Sequence, residues 1–544
     1  MRSVTDLCFV AFVLMSSIMV GMYSVSQSGA LWQDSPRYAN AALMIHDWVL
    51  SGQWSAPYEF AKEFYSKYPG FSVPYHPPAY PAALAVFMLV FGQDYWVVRL
   101  FSALCLSVAV LATSGIARQL GARRVSAYLT GVTLLSIPEV VHWSRDTMSE
   151  VPALMLILVA SYCFLKWLES TSVQHCLLAV LFAELAFLSR VTTSGVLLGL
   201  FLFALSTGHW RTVFCRSSVC CWGAYLCINF CWILFVRQFS KYELVENAAS
   251  NRVAFLEPWH LAYYPIKSWD MLGPVVFCLV VVGLFLFVRN CARRQLSKIE
   301  VFAFCWVFGF FVFQLCLCVN EQRYFFFALV GFALLVGNLI SFFKLRRTRY
   351  RGAVTLAICC LVSCAMSVMK TPPGIVGYAA VASRIANEEV GGNVLAACVA
   401  DQDLITRILF NDVERRFRVL RGDRVLALRL PGYAGVKTQV LAHTREDVLK
   451  LLELGRVRYV VTFTAEANAG NRFREEMRLA HDAMVSSSNC FTLLQQYDFE
   501  EQNGREAVTR GVVWLWRYTG VLPDGPSELS IPVPTAGFEL KQAK

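Results

Sequence analysis

Residues 275–294 read VVFCLVVVGLFLFVRNCARR. From Met271 to Val288 no side chain carries a charge, and the run then closes on Arg289, Arg293, Arg294 and Lys298. A helix needs about 20 apolar residues to cross the hydrocarbon core of a bilayer, so this stretch reads as a membrane span with a basic flank. The same pattern recurs along the chain. Apolar stretches of comparable length fall at about 7–26, 97–119, 125–143, 149–168, 217–236, 299–319, 325–343 and 352–370. Two shorter ones, 175–189 and 193–209, read as short spans or as the halves of a re-entrant pair. Segment 78–92, flanked by Pro, reads as a helix at the membrane surface or partly inserted. Counting the two short stretches as crossings gives eleven spans.

Composition agrees. Of 544 residues, 56% are hydrophobic and only 16% charged, against about 25% in a soluble domain. The net charge of +11 is gathered in short runs between apolar stretches. That pattern sets topology; it does not call for nucleic acid. With eleven spans, Arg2, Arg118–Arg123–Arg124, Arg211–Arg216, Arg289–Lys298 and Lys344–Arg351 share one side. The positive-inside rule makes that side cytoplasmic, with the N-terminus on it and everything after about residue 371 outside. The expected location is a bacterial inner membrane, with a periplasmic tail. The first apolar stretch reads as a retained helix; the alternative is a signal peptide cleaved near Gly29–Ala30.

Residues 1–370 thus form a polytopic α-helical membrane domain with a long outer loop at 27–96, and 371–544 a second domain. In the tail, Asn393–Val399, Val457–Phe463 and Gly511–Tyr518 read as strands, and Arg445–Leu454 and Phe473–Val485 as helices. Such alternation indicates a small extracytoplasmic α/β domain. Pro523–Lys544 reads as a loose end. Most of the 19 cysteines lie in apolar stretches as small hydrophobes. Cys398 and Cys490 lie in the tail, where an oxidising compartment would permit a disulfide.

Polar residues at the outer ends of the spans are the candidates for chemistry. Asp34, in Trp32-Gln33-Asp34-Ser35-Pro36-Arg37-Tyr38, follows the first span. An Asp before Ser-Pro also suits the N-cap of the next helix. His76 stands in Tyr75-His76-Pro77-Pro78, and Asp146 in the turn His142–Glu150, whose acids also suit a helix start. Arg190 lies between two apolar segments, where a charge is costly and marks a candidate site unless it snorkels to the interface. Asn320-Glu321-Gln322-Arg323-Tyr324 opens a late span. Tyr263 and Tyr264 suit a lipid groove or an interfacial aromatic belt.

The order of these elements resembles the GT-C superfamily of integral-membrane glycosyltransferases, closest to the branch of protein O-mannosyltransferases and the lipid A aminoarabinose transferase. The resemblance covers about residues 1–370. It implies a sugar donor carried on a polyprenyl phosphate, a lipid, glycan or protein acceptor, and transfer with inversion at the outer face. It makes Asp34 the catalytic acid of the first outer loop, beside Ser35 where many members have a second acid, and Asp146, the acid of the second outer turn, a second catalytic residue. Arg37, Tyr38, His76, Arg190, Arg323 and Tyr324 become substrate-binding, with Arg190 where members often have Lys. No cofactor is expected, although Asp34 and Asp146 have the composition to hold a divalent ion. The rival classes are a transporter or flippase of lipid-linked sugars, which would call for internal repeats, and a surface polysaccharide polymerase or ligase.

Overall fold

The computed structural model describes residues 4–23, 34–68, 76–239, 257–317, 320–342, 346–369, 374–428, 439–465, 475–487, 489–502, 509–522, 530–533 and 538–541. Trp32, Tyr75, the Gly29–Ala30 junction and the loop up to residue 256 lie outside them.

Eight described helices are long and apolar enough to cross a membrane, and three shorter apolar helices accompany them. Length alone therefore does not reach eleven crossings. The stretch 125–143 is two helices, Arg124–Ser136 and Pro138–Ser144, because Pro138 lacks the N–H that would continue the ladder. The short stretches 175–189 and 193–209 are helices Val173–Phe187 and Ser194–Ser206, joined by a turn that carries Arg190. The helix expected at 271–289 begins earlier, at Pro258, and runs to Ala292 with a break at Gly273 (φ +69°) before Pro274. Residues 258–270, expected as loop, are thus helical. Gly199 and Gly309 let the Ser194–Ser206 and Lys298–Leu317 helices cross backbone to backbone; a Cβ on Gly309 would lie 2.4 Å from Gly199 N.

Buried arginines close helix ends at the face that holds the candidate site. Arg99 is fully enclosed and donates to the Gly21 carbonyl from Nε (2.9 Å) and Nη2 (2.6 Å), and to the Tyr23 carbonyl (3.3 Å). Those carbonyls end the Val4–Met22 helix and have no partner within it. Arg145 donates to the Val368 carbonyl (3.1 Å), at the end of the Arg346–Met369 helix. At the opposite end of the Val4–Met22 helix, Arg118 and Arg124 pair with Asp6. Replacing Arg99 by Leu is expected to lower the thermal unfolding midpoint of the detergent-solubilised protein, since each orphaned buried carbonyl costs roughly 1–3 kcal/mol. A midpoint equal to that of the parent would mean that the caps do not form.

After Met369 the chain enters a mixed sheet. Its strands are β1 (Gly374–Val376), β2 (Gly392–Ala397), β3 (Phe417–Arg421), β6 (Val457–Ala465), β7 (Phe491–Gln502) and β8 (Thr509–Tyr518), in the order β1-β7-β8-β6-β2-β3. β2 runs parallel to both β3 and β6, and the other pairs are antiparallel. Short strands β4 (Ala427–Leu428) and β5 (Gln439–Val440) pair with each other. Alternate residues serve the two faces of the sheet. Leu395, Val460 and Trp516 join the helices Arg445–Leu454 and Glu475–Ser486 in one core. Val394, Val461 and Phe463 join the helix Asp401–Asn411 in a second core, which is continuous with that of the membrane domain.

Strands β1, β3 and β7 and the helices Tyr378–Ala386 and Asp401–Asn411 add to the elements read from the sequence. Within the expected loose end, β9 (Ser530–Val533) and β10 (Phe538–Lys541) pair antiparallel. Cys398 is buried, Cys490 is exposed, and both are free thiols, so the disulfide that an oxidising compartment would permit is not formed.

Candidate active site

The Ser35–Ser51 helix starts where the sequence suggests, with Asp34 at its N-cap and Pro36 in its first turn. The Asp34 side chain makes no capping hydrogen bond. Its carboxylate instead accepts from Arg323 Nη1 through Oδ2 (2.9 Å) and faces Arg37 Nη1 through Oδ1 (3.5 Å). Burial alone would raise the Asp34 carboxyl. His76, Arg37 and Arg323 outweigh it and bring the group down to about 2.

Arg323 is itself shared, since its Nε lies 2.6 Å from Glu321. Its guanidinium and that of Arg190 both stand over the Tyr324 ring, at 5.3 and 5.5 Å from the centroid. Arg190 reaches the Glu150 carboxylate (3.0 Å) and donates to Ser149 Oγ (3.4 Å), which in turn donates to the Tyr38 hydroxyl (3.1 Å). Burial pushes the Tyr38 phenol well above its usual range. The Tyr38 ring lies 4.5 Å from the imidazole of His76. The Pro77-Pro78 corner is pinned against the turn that carries Arg190, because the Ala79 N–H donates to the Leu188 carbonyl (2.9 Å). His76 is pushed down to about 4 by desolvation first; Asp34 pulls it up, and Arg37, Arg190 and Arg323 push it down. At neutral pH it is therefore an uncharged imidazole.

The structure thus gathers Asp34, Arg37, Tyr38, His76, Arg190, Arg323 and Tyr324, drawn from four separate parts of the sequence, at one end of the bundle. Asp146 stands beside this cluster and is 2% exposed. Its Oδ1 accepts from Ser35 Oγ (2.7 Å) and from the Thr147 N–H (2.7 Å), which ties the residue after Asp34 to the second turn. Tyr264 is fully buried and stacked on Phe325 (4.7 Å), so it belongs to the core and not to a lipid groove. Among the described residues no three His, Cys, Asp or Glu side chains converge as a metal site.

Sequence reasoning read Glu150 only as a helix-start acid. The structure pairs it with Arg190 from outside the local sequence. The signal was available, because an Arg between membrane segments calls for an acid partner. Glu321 and Gln402, which touch Arg323 and Arg37, were missed.

The arrangement sets a carboxylate against two arginines around an aromatic ring, the geometry for holding an anionic group beside a base. Residues 75–235 match the family model described as dolichyl-phosphate-mannose-protein mannosyltransferase. No curated protein sequence matches the chain. Among solved structures, ArnT from Cupriavidus metallidurans bound to undecaprenyl phosphate superposes with a TM-score of 0.56. That match covers 94% of this chain and 98% of that one, at 14% identity. The apo form of the Archaeoglobus fulgidus oligosaccharyltransferase gives 0.50 over 85% and 70% of the two chains, at 12% identity. At such identities the likeness is one of fold. Residues 75–235 thus resemble that mannosyltransferase family, and nearly the whole chain shares the fold of ArnT.

Proposed function

We propose that the chain transfers a sugar from a polyprenyl-phosphate carrier to a hydroxyl of a lipid, glycan or protein at the outer face of the membrane, with Asp34 as general base. The observation that carries this reading is the Asp34–Arg323 contact of 2.9 Å at a helix N-cap whose carboxylate caps nothing. Asp34 takes the proton of the acceptor hydroxyl, and that oxygen attacks the anomeric carbon of the donor sugar. The bond from this carbon to the phosphate oxygen breaks on the opposite side, and its electron pair leaves with the phosphate, so the configuration inverts. The sugar passes through an oxocarbenium-like state. Arg190 and Arg323 meet the charge that grows on the phosphate, and a guanidinium does so with a planar fork of donors.

His76, uncharged at neutral pH, serves as a hydrogen-bonding group and not as a third cation. Asp146 is a positioning residue that fixes Ser35 and hence the start of the helix after Asp34. A carboxyl held at about 2 is a weak base. An arriving phosphate competes for Arg323, and as that cation turns toward it the basicity of Asp34 rises. Binding of the donor then prepares the base. The undecaprenyl phosphate bound by ArnT supports the choice of carrier. The basic runs on the opposite side support the outer face.

Two measurements test this. Deletion of the gene, followed by mass spectrometry of envelope lipids, glycans and proteins, should show one molecule lacking a single sugar. Undecaprenyl phosphate should raise the unfolding midpoint of the purified protein, and Arg190→Leu should abolish that rise. An envelope unchanged by the deletion, or a midpoint indifferent to the lipid, would sink the proposal.

A further inference from the structure

The Ser35–Ser51 helix is gripped at both ends by the C-terminal domain. At its start, Arg37 Nε donates to Gln402 Oε1 (3.1 Å), and Thr406 Oγ1 donates to the Pro36 carbonyl (3.4 Å). Gln402 and Thr406 are four residues apart on the Asp401–Asn411 helix and so share one face of it. Toward the far end, Arg415 forks onto Asp47, with Nε to Oδ2 at 2.7 Å and Nη2 to Oδ1 at 3.1 Å. Nη2 also reaches Gln93 Oε1 (2.9 Å), just before the Tyr95–Gln119 helix. The second grip is built for its position. Arg415 adopts a left-handed backbone (φ +55°), and its Nη1 donates to the Leu409 and Asp412 carbonyls of its own turn.

Between the grips, Arg407 lies over the Tyr95 ring (5.5 Å) and Phe410 meets the same ring edge-on. Residues 37 and 47 are about 15 Å apart along the helix axis. A helix held at one point can still roll or swing; held at two such points it can do neither.

Arg37 therefore has two tasks. One nitrogen is fixed by the soluble domain, and another faces Asp34 at 3.5 Å. A partly exposed pair at that distance holds weakly by itself, since the arginine gains as much from water. The Gln402 oxygen supplies the second anchor.

We propose that the C-terminal domain is a working part of the catalytic site, and that Gln402 is a positioning residue that keeps Arg37 on the Asp34 carboxylate. The proposal rests on the reading of Asp34 as the base. It assigns to the soluble domain a role in the chemistry as well as whatever it does for the acceptor.

The test uses full-length protein in membrane vesicles, with sugar incorporation into the acceptor fraction measured against pH. Gln402→Leu keeps the bulk and removes the oxygen. It is expected to lower the rate about fivefold, the scale of one net hydrogen bond. It is also expected to shift the acid limb of the rate upward, because Asp34 keeps His76 and Arg323 but loses Arg37. In an Arg37→Leu background the same substitution should cost nothing further, since the two act through one contact.

An equal cost in both backgrounds would overturn the proposal. So would a loss of rate with the acid limb unmoved, which is the signature of general destabilisation. If Asp34→Asn is inactive while Gln402→Leu matches the parent in rate and limb, the base stands and the clamp falls. A fully active Asp34→Asn overturns the base itself, and the proposal with it.

Discussion

Replacing Asp34 by Asn will leave a folded protein that no longer restores the missing sugar to a deletion strain. The side chains have nearly the same shape, and the amide oxygen can still accept from Arg323, although the contact that the other carboxylate oxygen makes with Arg37 is lost. What is lost is the lone pair that takes the proton of the acceptor. Removal of a positioned general base costs typically 10²–10⁴-fold in rate. The effect on stability should be small by comparison. The Asp34 side chain keeps 21% of its exposure, and partly exposed ion pairs contribute little. The sign of the titration also bears on stability. The Asp34 carboxyl is depressed to about 2, so whatever its pairs contribute is fully present above the unfolded value near 4. It is lost only as pH falls toward 2, so any difference in unfolding between the parent and the Asn variant should be largest at neutral pH and shrink toward pH 2. An Asp34→Asn protein that rebuilds the envelope molecule at the parental rate would remove the proposed base.

Much of the fold was legible because a bilayer leaves few options. Lipid accepts only segments whose backbone is internally satisfied, so apolar runs of the right length read as helices. The exceptions have local causes. Pro138 breaks an apolar run whose composition alone looks continuous. The start of the Pro258–Ala292 helix carries Lys267 and Asp270 beside its aromatics and looked like loop. Strand β3 was hidden among charges, since Arg415, Arg416, Arg418 and Arg421 surround its few apolar residues. Its pattern becomes plain only when β2 is placed beside it.

The site was legible in kind but not in contact. Asp34 had two readings from sequence, helix cap and base, which only the direction of its carboxylate separates. Arg190 announced itself by its cost in an apolar setting, and Glu150 answers it. Gln402 carries no local mark at all. It meets Arg37 across 365 positions of sequence, a contact that exists only once the two domains are docked.

Arg323 is where the second large effect is expected. It stands between Asp34 and Glu321 and over Tyr324, and in the proposed reaction it also receives the leaving phosphate. Arg323→Leu should lower transfer by about 10²–10³-fold, the range for a lost charge-stabilising donor. The residual activity should carry a second mark. Arg323 acts on Asp34 both through its charge and through a hydrogen bond, so without it the Asp34 carboxyl rises from about 2. Only the carboxylate can accept the proton, and the rate falls as pH drops through its titration. The acid limb should therefore move to higher pH in the variant. Arg323→Lys separates charge from geometry. It keeps a cation near Asp34 and Glu321, so its limb should stay closer to the parent's, while the rate still suffers because an ammonium lacks the planar fork. A pH–rate series on the three proteins decides the point. If Arg323→Leu is slow but its limb stays in place, Arg323 does not act on Asp34 in the working enzyme. The base would then have to be sought among the other carboxylates at this end of the bundle, with Glu150 and Glu321 the first to be tried.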